Sequence, residues 1–245
     1  MLRECLTYDG SDLRALDLCT GSGIQALAVA SQVTQVTAVD VNPRAVAMTR
    51  HNAALNGITN VEVHLGDLYA PVADQQFDLI LANPPFVSSP YDDAPTYHSG
   101  GPTGDRVLRR VIAGWSQHLR SGGRAFAVSH VGVRSGESLD QMATQWCEGF
   151  PGRVLVVRVE EGSAIDLAAA QALFALEKGL PAYHREVERW VQYLREHRID
   201  TVALILVVAE HNGTHNVEVV DGSPRVLPLP LTPAPPQRIH DWLAA

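Results

Sequence analysis

The sequence predicts a doubly wound α/β fold, with a mostly parallel sheet of seven strands and a helical insertion before the last long strand. Short apolar segments alternate with helix-like segments through the first half of the chain, as expected for strands joined by helical crossovers. A glycine-rich turn, with Gly21 and Gly23, joins the first strand-like segment to the first helix-like one. Residues 77–82 are almost continuously apolar, which is typical of a strand buried on both faces of a parallel sheet.

The first half of the chain holds five strand-like and three helix-like segments. The second of these helices has clear boundaries, because Pro43 occupies a favoured first-turn position and Gly57 follows the last helical residue. Right-handed crossovers would place the helices on both faces of the sheet. The predicted strands are residues 14–18, 35–41, 61–65, 77–82 and 123–131, and the predicted helices are residues 23–31, 43–56 and 103–119.

The second half is less regular and contains the insertion. Residues 163–198 read as two helices between the last two long strands. The strand before them should be parallel, so its exit lies at the ligand end of the sheet, and the insertion is a candidate for a substrate lid or a subunit contact. Packing alone is the alternative. The other predicted elements are a helix at residues 139–147, strands at residues 153–159 and 201–209, and a returning strand at residues 217–220.

These elements predict one domain over residues 1–220 and a separate tail over residues 221–245. The tail carries six prolines and cannot join the interior of a sheet. No run of eighteen apolar residues occurs, so a membrane partner is not expected. The three cysteines are odd in number and scattered, which suits a reducing compartment and predicts a cytoplasmic location. They are Cys5, Cys19 and Cys147.

The charge distribution argues against nucleic acid as the default partner. The net charge is −8, and Lys178 is the single lysine among nineteen basic residues. A phosphate backbone is bound by clustered positive charge, and the sequence offers none as a block. A small molecule or a side chain on another protein is therefore the favoured partner, although another subunit could supply a basic surface. A subunit contact through the insertion would give a homodimer.

The turn after the first strand predicts a site for a nucleotide-like ligand. Residues 16–23 read Leu-Asp-Leu-Cys-Thr-Gly-Ser-Gly, and Gly21 and Gly23 allow a ligand to approach the backbone closely. With Ala26 they also satisfy the dinucleotide pattern G-x-G-x-x-G/A, and Asp40 follows at a suitable spacing. NAD binding therefore stays open at this point, as does an ordinary strand-to-helix turn.

Two acidic residues follow the second and third predicted strands. Asp40, at the end of the second strand, can accept two hydrogen bonds from a ribose diol, which NAD and S-adenosylmethionine both carry. It could equally cap the helix that begins at Pro43. Asp67 lies in Gly66-Asp67-Leu68 and could accept from an adenine amino group while Leu68 packs near the ring, although turns use glycine and aspartate freely.

The fourth predicted strand ends in Asn83-Pro84-Pro85-Phe86, which distinguishes between these ligands. This strand lies beside the first, across the point where the strand order reverses, and open α/β sheets bind ligands there. The prolines stiffen the backbone and carry no N–H, so Asn83 and the Pro84 carbonyl present acceptors suited to an amine or amide. Phe86 can stack on a flat substrate group. A rigid turn alone would explain the prolines but not Asn83.

These residues together resemble a known group of enzymes. Residues 16–23, 40–43 and 83–86 look like the motifs of class I methyltransferases with a small methyltransferase domain, a Rossmann-like fold. The group includes the glutamine methyltransferases of release factors and the guanine-N2 methyltransferases of ribosomal RNA. Residues 98–105 resemble the Gly-Gly-x-Asp-Gly stretch of the glutamine branch, with Gly and Asp in the opposite order. The resemblance covers residues 14–131.

The resemblance implies a methyltransferase that uses S-adenosylmethionine and methylates a nitrogen. It implies an acceptor site at Asn83, Pro84, Pro85 and Phe86. It also implies that Asp17, Gly21, Gly23, Asp40 and Asp67 line the cofactor site. Neighbouring residues complete the predicted cofactor site, and these are Cys19, Thr20, Val41, Gly66, Leu68 and Asn83.

The sequence departs from the group in two respects. Cys19 stands where many relatives have glycine, so the loop is expected to approach the cofactor differently. Thirteen residues precede the first strand, where the release-factor enzymes have a helical recognition domain, so no specific substrate carries over. A small metabolite or a protein side chain ranks ahead of ribosomal RNA.

The long loop after Phe86 supplies candidates for contacts to the acceptor. They are Tyr97, His98 and Asp105, of which the histidine is more often merely exposed in such a loop. No metal site is expected, because His211 and His215 straddle a turn.

Three alternatives to nitrogen methylation stay open from the sequence. They are an oxygen-methylating enzyme, an NAD-dependent oxidoreductase and a noncatalytic cofactor-binding subunit. The oxidoreductase would leave Asn83-Pro84-Pro85-Phe86 without a role.

Overall fold

One mixed, eight-stranded sheet organises the computed structural model, which describes residues 12–91 and 100–222. The strands run in the order β3-β2-β1-β4-β5-β7-β6-β8, and β7 alone among them is antiparallel to its neighbours. The strands are β1 (Arg14–Leu18), β2 (Gln35–Asp40), β3 (Val61–Leu65), β4 (Phe77–Ala82), β5 (Leu119–Arg134), β6 (Arg153–Ser163), β7 (Ile199–Glu210) and β8 (Asn216–Asp221).

Most of the helices connect parallel strands as crossovers, and short 3₁₀ turns extend or follow several of them. Within the described residues, no helix combines the length and the apolar character needed to span a bilayer. The helices are α1 (Ile24–Val29), α2 (Pro43–Leu55), α3 (Arg106–Ala113), α4 (Trp115–His118), α5 (Leu139–Trp146), α6 (Ala164–Gln171) and α7 (Leu180–Glu196). The 3₁₀ turns are Ala30–Gln32, Ala70–Val72 and Ala172–Lys178.

Helices cover both faces of the sheet, as the sequence predicts. Every residue of β4 is buried, and alternate side chains enter different cores. Leu79 and Leu81 join a core that α1 and α2 complete, whereas Ile80 and Ala82 join a core that α3, α4 and α5 complete. The prediction of a doubly wound, mostly parallel α/β sheet is therefore confirmed.

The number of strands is eight rather than the seven predicted. The eighth strand, β8, forms where the sequence predicts a returning strand at residues 217–220. It follows the turn at residues 211–215 but does not form a hairpin with β7. Both edges of β7 already pair, with β5 on one side and β6 on the other. The free edge of β6 remains, and β8 pairs there in parallel from Arg153↔Asn216 to Arg158↔Asp221.

The predicted helix over residues 103–119 is divided at Gly114. A Cβ at this position would lie 2.2 Å from the Tyr69 ring, so a larger residue would not fit between the two segments. The helix begins at Arg106 rather than at Thr103, because residues 100–104 form a turn that packs on the preceding loop.

The helical insertion lies at the same edge of the sheet as the ends of β1, β2 and β4. β7 is antiparallel to both β5 and β6, so β6 runs in the direction of the parallel strands and ends at their carboxyl edge. The insertion, from α6 to α7, leaves from that end. Trp190 and Leu194 of α7 are buried against α6, whereas the larger apolar side chains of the 3₁₀ turn, such as Phe174, are exposed.

Candidate active site

A cleft of about 790 Å³ opens at the carboxyl ends of β1, β2 and β4. β1 lies between β2 and β4, so the cleft is at the point where the strand order reverses. Among the predicted site residues, those that line it are Cys19, Thr20, Gly21, Asp40, Val41, Gly66, Asp67, Leu68, Asn83, Pro84, Pro85 and Phe86.

Asp17 lies behind the wall of the cleft and organises the loop that forms it. Its Oδ2 atom accepts hydrogen bonds from the Thr20 hydroxyl at 2.6 Å and from the Ala26 N–H at 3.0 Å. Its Oδ1 atom is buried and has no hydrogen-bond partner within residues 12–91 and 100–222. Burial, assisted by the charge of Asp40, raises the pKa of the Asp17 carboxyl from 3.8 to about 7.

The same loop contains Gly23, which also lies behind the wall. Its φ of 85° is in the left-handed region, and a Cβ there would lie 2.7 Å from Cγ2 of Thr49 on α2. Both the backbone conformation and the close approach of α2 therefore require glycine.

Cys19 has a left-handed backbone, with a φ of 58°. A residue other than glycine in this region costs roughly 1–2 kcal/mol, which accounts for the preference of similar loops for glycine. The thiol lines the cleft, and burial with the nearby Asp40 carboxylate raises its pKa to about 12. The thiol is therefore neutral at physiological pH.

Asp40 holds two loops together at the floor of the cleft. Its Oδ2 accepts from the Gly21 N–H at 2.9 Å, and its Oδ1 accepts from the Asn42 N–H at 2.8 Å. The Asn42 side chain caps α2, so Asp40 does not serve as the cap. Each carboxylate oxygen can accept more than one hydrogen bond, so Asp40 keeps acceptor capacity for a ligand hydroxyl.

The loop after β3 forms the opposite end of the cleft. The Gly66 N–H donates to the Asp40 carbonyl at 2.9 Å, which ties this loop to the end of β2. Leu68 is buried. Asp67 is more exposed, and its Oδ2 accepts from Nη2 of Arg110 at 2.8 Å. Sequence reasoning missed Arg110, which reaches the cleft from α3.

Asn83 is exposed in the cleft directly after β4. Within the described residues its side chain has no hydrogen-bond partner, so its amide oxygen and amide nitrogen are available to a ligand in the cleft. Pro84 beside it is buried. The Phe86 ring stacks on His130 of β5, with centroids 4.9 Å apart. Nothing in the sequence around His130 distinguishes it from an ordinary strand residue.

The glycine-rich stretch that follows packs against this motif. The Gly100 N–H donates to the Val87 carbonyl at 3.0 Å. A Cβ at Gly104 would lie 2.6 Å from the Phe86 carbonyl oxygen and 2.7 Å from that of His130. The turn therefore closes on Asn83-Pro84-Pro85-Phe86 from behind and fixes the position of Phe86.

Of the three candidates for acceptor contacts, the structure describes Asp105 alone, and it is not brought into the cleft. Asp105 is buried outside the lining, where it accepts from the Thr103 hydroxyl and, at 2.6 Å, from Nε of Arg109. Its carboxylate stabilises the start of α3. Tyr97 and His98 lie outside the described residues.

A family model for the methyltransferase small domain matches residues 1–147. The chain belongs to the methyltransferase small domain family. This membership confirms the resemblance that the motifs indicate. An NAD-dependent oxidoreductase is not favoured.

Individual relatives of this methyltransferase family support the same assignment. The ribosomal protein uL3 glutamine methyltransferase of Bradyrhizobium diazoefficiens is 35% identical over 122 residues, which cover 45% of this chain and 38% of the relative. The release factor glutamine methyltransferase of Thermodesulfovibrio yellowstonii is 33% identical over 144 residues, which cover 50% of this chain and 52% of the relative. The chain thus spans about half the length of these relatives or less.

A solved structure supports the fold of the methyltransferase domain. The YcgJ protein of Bacillus subtilis superposes with a TM-score of 0.50 at 15% identity, over 86% of this chain and 96% of that one. At this identity the likeness concerns the fold alone.

The residues of the cleft fit S-adenosylmethionine. A Cβ at Gly21 would approach only the Cys19 carbonyl oxygen, at 4.0 Å, so the backbone leaves open space on its ligand side. Asp40 offers acceptors for a ribose diol at the floor, and Asp67 offers one at the far end. The volume of the cleft is that of a typical cofactor site.

Proposed function

We propose that the chain is an S-adenosylmethionine-dependent methyltransferase that methylates a nitrogen in a protein side chain, with the glutamine amide as the first candidate. The observation that carries the proposal is the unpaired Asn83 side chain in the cofactor cleft, next to a proline pair that has no N–H. The names of two similar proteins, a release factor and a uL3 glutamine methyltransferase, support a protein amide over a metabolite.

The arrangement suits an in-line displacement in which the protein orients and desolvates the acceptor. When bound, the cofactor supplies an electrophilic methyl group on a sulfonium. The Asn83 amide oxygen and the Pro84 carbonyl would accept the N–H bonds of the acceptor, which directs the nitrogen lone pair toward the methyl group. Phe86, fixed by His130, would form the flat wall against the acceptor.

The proton need not leave before methyl transfer. Polarisation of an amide N–H by two acceptors increases the electron density on nitrogen during attack. The proton can then pass to water after the new N–C bond has formed. No discrete base is therefore required of the described residues. Tyr97 and His98 remain proposals for acceptor contacts, whereas Asp105 has both carboxylate oxygens paired outside the cleft.

Replacement of Asp40 tests the cofactor site. We expect Asp40→Ala to weaken S-adenosylmethionine binding by at least about tenfold, because two charge-assisted hydrogen bonds to a diol are lost. Isothermal titration calorimetry with S-adenosylmethionine, S-adenosylhomocysteine and NAD measures this. Asp74→Ala, an exposed carboxylate outside the cleft lining, is the matched control. Binding of NAD alone to the wild-type chain would rule out the proposed function.

The acceptor is tested directly by methyl transfer. Purified release factor and purified ribosomal protein uL3 would be incubated with the enzyme and methyl-labelled S-adenosylmethionine, followed by peptide mass spectrometry. A gain of one methyl group on a glutamine side chain, absent when that glutamine is replaced, supports the proposal. Label on an oxygen, recognised by its lability to base, or on guanine in added ribosomal RNA would contradict it.

We propose that the insertion, residues 163–198, belongs to the acceptor side of the site within a methyltransferase domain of residues 1–220. Tyr91, five residues after Phe86, donates its hydroxyl hydrogen to the buried Glu186 of α7. Arg189 donates to the same hydroxyl at 3.0 Å and places its guanidinium 5.1 Å from the centre of the ring. The Tyr193 hydroxyl also hydrogen-bonds the Ser89 backbone. These contacts support a lid more than a subunit contact.

Loss of the Tyr91 hydroxyl tests this role. We expect Tyr91→Phe to reduce transfer to a protein acceptor about tenfold, because the segment after Phe86 loses two charge-assisted hydrogen bonds to α7. The affinity for S-adenosylhomocysteine should not change, since Tyr91 is not in the cofactor cleft. Tyr183→Phe is the control for steady-state kinetics, because Tyr183 lies on α7 but does not make these contacts. Equal rates for the two variants would show that the insertion only packs.

Location and assembly follow as proposals of the same kind. A cytoplasmic location suits the free thiols of Cys19 and Cys147 and the translation proteins named for the similar enzymes. A homodimer through the insertion is the alternative to a lid. Equilibrium sedimentation of the purified chain distinguishes the two.

A further inference from the structure

An ion pair connects two elements that line the cofactor cleft. Nη2 of Arg110, on α3, lies 2.8 Å from Oδ2 of Asp67, in the loop after β3. About half of each side chain remains exposed, 54% for Arg110 and 56% for Asp67, and both residues line the cleft. An exposed pair of this kind contributes little to stability, so we infer that its position serves ligand binding.

The loop that carries Asp67 is held in place without Arg110. A Cβ at Gly66 would lie 2.3 Å from Pro71, so the backbone is tightly packed there. Leu68 is buried, and its φ of 49° lies in the left-handed region. The Asp67 side chain, by contrast, has Arg110 as its one partner within residues 12–91 and 100–222. Arg110 therefore determines the direction of the carboxylate and not the course of the loop.

The helix that carries Arg110 is anchored independently of Asp67. Leu108, Val111 and Ile112 are buried in the core, and the Val111 carbonyl accepts from the Tyr69 hydroxyl at 2.6 Å. The pair thus joins two rigid elements that both contribute to the lining of the cleft. Arg110 donates to Oδ2 of Asp67, which leaves Oδ1 of Asp67 as a free acceptor.

We propose that Arg110 is a specificity-determining residue, which orients the Asp67 carboxylate so that its free oxygen accepts the 6-amino group of adenine in the cofactor. The proposal rests on the proposed function, because it requires an adenosyl cofactor in this cleft. Arg110 acts through Asp67 and is a positioning residue. The charge-assisted hydrogen bond from Arg110 restrains Oδ2 of Asp67, whereas water would leave the rotation of the carboxylate free.

The test compares two ligands that differ at this amino group. S-adenosylhomocysteine carries the amine, and S-inosylhomocysteine carries an oxo group with a ring N–H in its place. For the wild-type chain, calorimetry should show at least tenfold tighter binding of S-adenosylhomocysteine, because the oxo group faces an acceptor and leaves it unpaired. Arg110→Gln should reduce this ratio to about threefold or less, mainly through weaker binding of S-adenosylhomocysteine.

Three further variants make the comparison specific. Arg110→Lys should restore part of the ratio, and Asp67→Asn should remove it, because an amide can pair with either ligand. Arg134→Gln breaks a similarly exposed ion pair, with Glu137, outside the cleft and should keep the wild-type ratio. Thermal unfolding of each variant checks that the fold is retained.

The outcomes separate this proposal from the function on which it rests. A wild-type ratio in Arg110→Gln would overturn the role of Arg110, and so would an equal loss of affinity for both ligands. If the wild-type chain binds both ligands equally, Asp67 does not recognise the 6-amino group, and this proposal is overturned while the proposed methyltransferase function stands. A wild-type chain that binds neither ligand would overturn both.

Discussion

Asn83→Ala is expected to reduce methyl transfer by about 10²–10⁴-fold, while the affinity for S-adenosylhomocysteine stays within about threefold of the wild type. The Asn83 side chain is exposed in the cleft, so its removal leaves no buried group unpaired in the folded protein. What is lost is the group that would polarise and orient the acceptor nitrogen. The measurement is single-turnover transfer to an identified acceptor, beside calorimetry with S-adenosylhomocysteine.

Conservative variants at the same position distinguish orientation from simple presence. Asn83→Asp keeps an acceptor oxygen but adds a negative charge and loses the N–H₂ donor, so it should retain more activity toward an amine than toward an amide. Asn56→Ala, at the exposed end of α2, is the control. Wild-type turnover in Asn83→Ala would contradict the proposed mechanism. A parallel loss of cofactor affinity would assign Asn83 to the cofactor wall instead.

The arrangement of the fold could be predicted because its signals are local and agree with one another. The segment Leu79–Leu81 must be covered on both faces, and β4 is accordingly buried between helices. Glycine at Gly23 and proline at Pro43 set the starts of α1 and α2 within a residue. The position of β8 could not be predicted, because it depends on which strand edge is still free after β7 has paired twice.

The position of many cleft-lining residues could be predicted because they follow strand ends. Asp40 is the last residue of β2 and Asp67 is the second residue after β3, and the carboxyl ends of these strands must meet at one edge. Arg110 could not be found in this way, since it lies in the middle of a helix and reaches the cleft only through the packing of α3. His130 is likewise placed by strand pairing, which brings it against Phe86.

Asp105 shows why sequence position alone misjudged the acceptor side. It follows a glycine-rich stretch after the Asn-Pro-Pro-Phe motif, which suggested a contact to the acceptor. The turn through Gly104 directs it inward instead, where Thr103 and Arg109 satisfy its oxygens. A buried carboxylate with two partners of this kind stabilises a helix start, and a sequence pattern does not distinguish that role from binding.

The buried carboxyl of Asp17 should make stability depend on pH, and Asp17→Asn should remove that dependence. Burial raises the pKa of Asp17 from 3.8 to about 7 in the folded state, so the folded chain binds this proton more tightly than the unfolded chain. The stabilisation is complete below about pH 4 and is lost as the pH rises to about 7. The shift corresponds to about 4 kcal/mol of unfolding free energy over this interval.

Asparagine is a suitable replacement because its side-chain oxygen can accept the hydrogen bonds from Thr20 and Ala26 that Oδ2 of Asp17 accepts. It cannot ionise, and all other groups titrate as in the wild type. The difference in unfolding free energy between variant and wild type, from urea titrations at pH 4 to 8, should therefore move in favour of the variant by about 4 kcal/mol. Whatever asparagine costs through its buried N–H₂ group is constant and cancels from this change. A difference that does not vary with pH would mean that Asp17 is ionised in the folded protein, and the loop after β1 would then need a partner for its charge.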